Sequence, residues 1–461
     1  MGTWVGRTAL DIAAAVRAGE VGPAEVTEQH LQQIDRLDPE VGAFVTVRRE
    51  AARVEAAALA VRPGLASLPL AGVPVAIKDN IAVAGEPTRF GATVTSPAPA
   101  LQDHEVVQRL RAAGAVVLGI TRMPELGVWG TSEDAFGGVA RNPWHLDRTP
   151  GGSSGGSGAA VAAAMVPVAH GNDGLGSIRI PAACCGLVGL KPGADVVPAG
   201  VGRTSWRGLA ENGPLATTVE DAALVLSVMA GRPDLAVVAP PSGSLRIAAS
   251  TAIPLPGVHI DPQITATFLA AVTALRRAGH DTRRADPPYT QATANAIIAW
   301  YTASTADETA AFDEAALEPR QRHHARLGRA MLRLGRVRQS DRDRWQQQVA
   351  GFFAEHDVLV TPMMSTMPPA ASGWRDRSWR ANLWGNARWV PYAGAWNFAR
   401  CPAMTVPIGM HSSGMPIGIQ LVGPVGAEAR LLSLALQLQT LLPWPRHAPL
   451  AGLAGYAGVD R

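Results

Sequence analysis

Lysine is almost absent from this 461-residue chain. Lysine and arginine total 41, yet only two of them are lysines, Lys78 and Lys191. Arginine keeps its proton at any usable pH, whereas a buried lysine can release it, so the two survivors mark sites where that property is a candidate requirement. Cysteine is nearly as scarce. Three residues, of which Cys184 and Cys185 are neighbours, cannot build a disulfide framework, and a reducing, cytoplasmic compartment is expected. No apolar run approaches the ~18 residues of a membrane span, and the N-terminal segment lacks a charged-then-apolar signal pattern, so no membrane partner is expected. A net charge of +3 is too small to argue for a nucleic-acid partner. The histidines and cysteines lack ligand spacing, so neither a metal nor a cofactor is expected.

What is present is apolar and abundant. Hydrophobic residues make up 47% and charged residues 17%, which excludes a disordered chain and suffices for a large core. The 48 glycines and 36 prolines follow no short period, which excludes collagen. Residues 8–60 read as helical from apolar positions three and four apart. Residues 69–84 are β-branched and broken by Gly72 and Pro74, which predicts a buried strand with Lys78 near its end. A helix ending at Gly114 and a further strand follow, giving the βαβ rhythm of an α/β sheet. Helices and strands alternate again over 214–290, and DVLVTP, AMTVPIGM and PIGIQLVGP read as closing strands before a last helix. Residues 318–345 carry nine arginines; Leu327, Met331 and Leu334 recur at helical spacing there, which reads as a solvated amphipathic helix rather than a site for an anionic partner. No linker separates domains.

The segment PGGSSGGSG, residues 150–158, fits a flexible linker by composition, a nucleophile elbow by its G-x-S-x-G matches, or a rigid loop facing a site. An elbow needs an apolar strand before it, and ARNPWHLDRTP is not one. Ser177 lies twenty-four residues beyond Ser153, in GNDGLGS. An intervening helix and an antiparallel strand can carry the chain out and back, bringing Ser153 and Ser177 together. Gly174 and Gly176 let successive backbone N–H groups point into one concavity, a ready oxyanion hole. A nucleophilic serine needs a base. His170, in the strand before Ser177, is the best of the eleven histidines; the alternative is Lys78, neutral through burial.

At this point AGVPVAIKDN, TPGGSSGGSGAAVAA and GNDGLGSIRIPAACCGLVGLKP resemble the amidase signature family, and the N-terminal helices and PAMTVPIGMHSSGMPIGIQLVGP match as well. The AHGND stretch, Ala169–Asp173, is similar to the branch containing nylon-oligomer cyclic-dimer hydrolases. The resemblance implies an α/β/α sandwich with a central mixed sheet covered by helices. It implies one amidase domain over 1–461, with N-terminal helices 8–60, a signature core at about 69–200 and a part 214–461 completing the sheet. It implies a Ser–cis-Ser–Lys triad: Ser177 as acyl-enzyme nucleophile, Ser153 as bridging serine in a cis peptide bond after Gly152, and Lys78 as base. The oxyanion hole would be the N–H groups of Gly174, Leu175, Gly176 and Ser177.

Several positions depart from the family pattern. Leu175 stands where glycine is common, Arg400 replaces a usual glycine, and Ile120 and Arg122 replace lysine and asparagine. Lys191 matches a family lysine outside the triad and is expected behind the nucleophile loop. Arg179 is expected to orient that loop through Asp173, with a role on a substrate carboxylate as the alternative, and Cys184 and Cys185 are expected in the core. Trp374, Trp379, Trp384, Trp389 and Trp396 fall within 23 residues and are expected as core anchors or at the site mouth. The expected function is hydrolysis of an apolar or aromatic carboxamide by a monomer or homodimer that needs no partner chain. A glutaminase-type subunit of a tRNA-dependent amidotransferase, or an idle binding protein on the same scaffold, are the alternatives.

Overall fold

The computed structural model describes residues 2–453 except 254 and 256. Eleven strands form one mixed sheet: β1 Phe44–Val47, β2 Pro74–Lys78, β3 Val116–Thr121, β4 Val168–Asp173, β5 Val188–Lys191, β6 Glu211–Ala216, β7 Arg246–Ala249, β8 Asp281–Arg284, β9 Val358–Pro362, β10 Ala403–Met410 and β11 Pro416–Val422. Their order is β1-β3-β2-β4-β6-β5-β10-β11-β9-β7-β8. β2 runs parallel to both β3 and β4, while β4, β6, β5, β10, β11 and β9 are successively antiparallel.

Successive side chains of a strand point to opposite faces. Accordingly Val75 and Ile77 of β2 and Val117 of β3 enter one core, with helices Ala9–Ala18, Val219–Ala230, Pro262–Arg277 and Glu428–Leu441. Ala76, Val116 and Leu118 enter a second, with helices Pro23–Val41, Arg49–Ala60, Gly155–Ala162 and Arg179–Cys185. This is the expected helix–sheet–helix layering. Helix starts follow local chemistry. Thr8 and Asp11 form a capping box on the first helix, and buried Asp221 accepts from the amides of Ala9 and Leu10, tying that end to helix Val219–Ala230. No helix among the described residues is long and apolar enough to cross a membrane.

Two expectations need correction. Residues 8–60 are not helical throughout, because Phe44–Val47 pairs with β3 as an edge strand. The arginine-rich stretch is two helices, Pro319–Arg333 and Gln339–Glu355. The first does not bury the face marked by Leu327, Met331 and Leu334, and Leu334 is 65% exposed. It buries Arg320, Gln321, His324, Ala325 and Gly328 instead. The reason is close packing: a Cβ on Gly328 would fall 1.9 Å from the Thr302 carbonyl oxygen of helix Gln291–Thr309. Small residues, not the largest apolar ones, decide which face approaches.

Candidate active site

β2 lies between β3 and β4, and every one of its residues is buried. Lys78, at its C-terminal end, is 1% exposed. Its Nζ donates to Ser153 Oγ at 2.7 Å and to the Asn172 carbonyl oxygen at 3.3 Å. Burial pulls its pKa down from 10.5 to about 7, against the opposing pull of the Asp173 and Asp79 carboxylates. A large neutral fraction is therefore present near neutrality. The Asp79 carboxylate is turned away to the amides of Arg89 and Gly91, at 2.8 and 3.0 Å.

His170 is not placed to act as base. Its Nδ1 accepts from the Lys78 amide at 3.3 Å, so the proton sits on Nε2, which donates to Asn212 Oδ1 at 3.0 Å. Both nitrogens are committed, and burial pulls its pKa down to about 3. It is a neutral histidine linking β2, β4 and β6.

The glycine–serine segment is neither linker nor elbow. The Gly152–Ser153 peptide is cis. A Cβ on Gly152 would fall 2.6 Å from the Thr131 carbonyl oxygen, so the loop passes where only glycine fits. Helix Gly155–Ala162 leads out and β4 leads back. The path closes where the Ser154 amide donates to the Ser177 carbonyl oxygen at 3.2 Å.

Asp173 organises the turn after β4. Its carboxylate accepts from the amides of Gly176 at 2.6 Å and Ile178 at 3.2 Å. Arg179 reaches the same carboxylate through two donors at 2.9 Å each. Arg179 also donates to Gln420 Oε1 at 2.6 Å and Asn397 Oδ1 at 2.5 Å, while Asn397 Nδ2 returns to Asp173 Oδ1 at 2.9 Å. Burial raises the Asp173 pKa, but Arg179, Lys191 and Asn397 outweigh it and hold the carboxyl well below the usual range. Arg179 is wholly buried, so it orients the turn and does not face a substrate. Asn397 and Gln420 were not anticipated: they lie more than 200 residues along the chain, with no local pattern to mark them.

The same carboxylate alters the expected oxyanion hole. The Gly176 N–H is taken by Asp173, which leaves Gly174, Leu175 and Ser177 as the candidate donors. Lys191 is buried, donates to the Pro192 carbonyl oxygen at 2.7 Å, and has its pKa pulled down by burial and by Arg179 to about 8. It lies behind the turn. Cys184 and Cys185 are fully buried and burial pushes both thiols up, as expected of core residues.

Lys78, Ser153 and half-buried Ser177 line one cavity of about 450 Å³. Its apolar wall includes Ile81, Phe90, Met123, Leu126, Trp206 and Phe312. None of the five clustered tryptophans lines a cavity at Ser177. Trp374, Trp389 and Trp396 are buried and Trp384 is 50% exposed. Their neighbours Leu383, Asn386 and Val390 do line a second cavity that also reaches Ser177. The tryptophans at Ser177 are Trp129 and Trp206, and neither stood in a recognisable motif.

Fold and site together define a hydrolase acting on carbon–nitrogen bonds. The chain belongs to the amidase signature family: the amidase family model matches residues 25–432. It is 42% identical over 437 residues to AmiB2 of Mycobacterium tuberculosis, a protein assigned as an amidase, across 92% of this chain and 93% of that one. It is 34% identical over 496 residues to the 6-aminohexanoate-cyclic-dimer hydrolase of Paenarthrobacter ureafaciens, across 95% of each. A solved 6-aminohexanoate cyclic dimer hydrolase, complexed with its substrate, matches with a TM-score of 0.87 at 32% identity, over 96% of this chain and 99% of that one. The expected branch is therefore found, and the chain is an amidohydrolase.

Proposed function

We propose that this amidohydrolase works through an acyl-enzyme on Ser177, with Ser153 and Lys78 as its proton relay, and that it prefers apolar or aromatic amides. The observation that carries the reading is the 2.7 Å hydrogen bond from buried Lys78 Nζ to Ser153 Oγ, beside Ser177 in one cavity. Neutral Lys78 accepts the proton of Ser153, and Ser153 that of Ser177. The Ser177 oxygen bonds the carbonyl carbon, and the developing oxyanion meets the amides of Gly174, Leu175 and Ser177. The relay returns the proton to the nitrogen as the C–N bond breaks. Water then enters by the same relay, hydrolyses the ester and restores Ser177. All of this uses one uninterrupted sheet, so we read residues 1–461 as one amidase unit.

The apolar walls of this cavity and of the adjoining one at Ser177 support the substrate preference, since such surface gains most from covering an apolar group. A fluorophosphonate probe with peptide mapping tests the nucleophile: labelling is expected at Ser177 and is lost in Ser177→Ala. Benzamide and hexanamide should be turned over faster than acetamide or glutamine. Equal turnover of acetamide and benzamide would remove the substrate preference while leaving the nucleophile in place.

A further inference from the structure

Two cavities, not one, meet at Ser177. Beside the 450 Å³ cavity that contains Lys78 and Ser153 lies a second of about 170 Å³, and the two share Gly127, Ser177 and Trp206. The wall of the second is apolar, formed by Trp129, Leu175, Ile180, Ile297 and Val390. Two of its polar members, Asn386 and Tyr301, are engaged, while the buried Trp129 Nε1 has no acceptor among the described residues. Asn386 accepts from the Gly130 amide at 2.9 Å and donates to the Asn382 carbonyl oxygen at 2.8 Å, and the Tyr301 hydroxyl donates to the Val128 carbonyl oxygen at 2.5 Å. Apart from that indole N–H, the wall offers apolar surface. The first cavity differs: Asn80 lines it with a buried side-chain oxygen that has no protein donor among the described residues.

Trp206 stands where the cavities meet, on an uncommon backbone. Ser205, Trp206, Arg207 and Gly208 have φ of 46°, 54°, 55° and 68°, a left-handed turn that L-residues rarely adopt in series. The turn is pinned from outside. Glu308 accepts from the Arg203 amide at 2.7 Å, Ser304 donates to the Trp206 carbonyl oxygen at 3.0 Å, and Arg342 to that of Gly208 at 2.7 Å. The indole is laid against Gly174, where a Cβ would come within 3.0 Å of it. Leu175 closes the other end. It packs on Gly394, whose Cβ would fall 2.8 Å from Leu175 Cδ2, and beyond it is a further apolar cavity of about 110 Å³ bordered by Ile297, Pro391 and Gly394.

We propose that these compartments sort the two halves of the substrate: the apolar acyl group enters the 170 Å³ pocket and the amine occupies the 450 Å³ cavity, with Trp206 as partition and Leu175 as the stop that limits acyl length. The assignment of sides rests on the Ser177–Ser153–Lys78 reading. The leaving nitrogen must receive its proton from Ser153, so it faces the cavity that Ser153 and Lys78 line. The acyl chain, on the other side of the carbonyl carbon, is then directed into the apolar pocket. The Asn80 oxygen is available to accept an N–H of the amide. The substrate class is an N–H amide carrying a short apolar acyl group, of hexanoyl or benzoyl size, on a larger amine.

Two substrate series separate the compartments. The first varies the acyl group from acetyl to hexanoyl, benzoyl and dodecanoyl on 4-nitroaniline. The second keeps hexanoyl and varies the amine among ammonia, butylamine and 4-nitroaniline. In the wild type, kcat/KM should peak at hexanoyl or benzoyl and fall about tenfold or more for dodecanoyl, in line with what a pocket of fixed size discriminates. Leu175→Ala should recover dodecanoyl by about tenfold relative to hexanoyl while the amine ranking is kept. Trp206→Leu should flatten both rankings. A Leu175→Ala enzyme whose amine ranking changes, or whose acyl ranking does not, overturns the assignment. Fluorophosphonate labelling of the same preparations distinguishes the failures. Ser177 labelled without the acyl effect sinks only the compartments, as does labelling of a wild type that turns over no member of either series. No label at Ser177 and no turnover sink the triad reading beneath them.

Discussion

Replacing Lys78 by methionine should abolish activity and make the protein more stable. A lysine whose pKa falls from 10.5 to about 7 on folding binds its proton less tightly in the native state than in the unfolded chain. Protonation therefore favours unfolding. The penalty is fully present below pH 7, where both states carry the proton, and fades as pH rises through the interval from about 7 to 10.5. At 1.36 kcal/mol per pH unit it amounts to about 4 kcal/mol at pH 7. Methionine has similar length and no charge, so this cost disappears. Against it stand the lost hydrogen bonds to Ser153 and the Asn172 carbonyl, about 1 kcal/mol each. The net gain is about 2 kcal/mol, or roughly 2 °C in Tm for 461 residues. Lys78→Arg is the opposite case, since the guanidinium cannot shed its proton in the same buried site. It should lose stability and be as inactive as Lys78→Ala. Calorimetric melts and kcat/KM for the three variants, measured from pH 5 to 9, decide. In the wild type the acidic limb of kcat/KM should rise with pH through about 7, as neutral lysine becomes the majority form. A Lys78→Arg enzyme within about tenfold of wild type, roughly 1.4 kcal/mol in the barrier, would refute the neutral-lysine argument. So would a Lys78→Met protein that melts well below wild type.

Ser177→Ala should lose all turnover with an unchanged melt, whereas Ser153→Ala should keep a small residue, because water can partly stand in for a relay but not for a nucleophile; steady-state kinetics with melts of both proteins settle it. Arg179→Met leaves the Asp173 carboxylate buried without its cation and should cost about 3–5 kcal/mol, read by urea unfolding; a loss under about 1 kcal/mol would mean that Asn397 and Lys191 suffice. Arg400→Gly should stabilise by about 0.5–1 kcal/mol, because Arg400 sits at φ 65°, where a side chain is disfavoured; an unchanged or lower urea midpoint would show that its contact with Asp195 matters more.

Much of the site was legible because its parts are local in sequence. Lys78 ends a strand whose β-branched residues stand out within 69–84, and the path from Ser153 out along a helix and back along a strand could be traced from element lengths alone. Arg400 could be noticed as standing where the family usually has glycine, and its φ of 65° explains why glycine suits that position. The misses share a cause. The strand Phe44–Val47 is four residues long and sits between helices, so helical periodicity on both sides hides it. The arginine-rich helix turned its Ala325–Gly328 face inward because the neighbouring helix approaches so closely at Gly328 that no Cβ fits there. The tryptophans of the 374–396 cluster are close in sequence but point into different surroundings, from fully buried Trp396 to half-exposed Trp384.

Sequence by itself determined the α/β class, the serine and lysine residues at the site, and the family, since these depend on residue type and short-range order. Only the tertiary structure decided which groups are charged, engaged or reachable. The Lys78 proton is loosened by burial from every direction, the Gly176 amide is taken by Asp173, and Asp173 is held by residues more than 200 positions away. Trp206 reaches Ser177 only through a left-handed turn pinned by side chains about 100 to 135 residues further on. Desolvation and hydrogen-bond competition are properties of what surrounds a group, and no reading of neighbours along the chain supplies them.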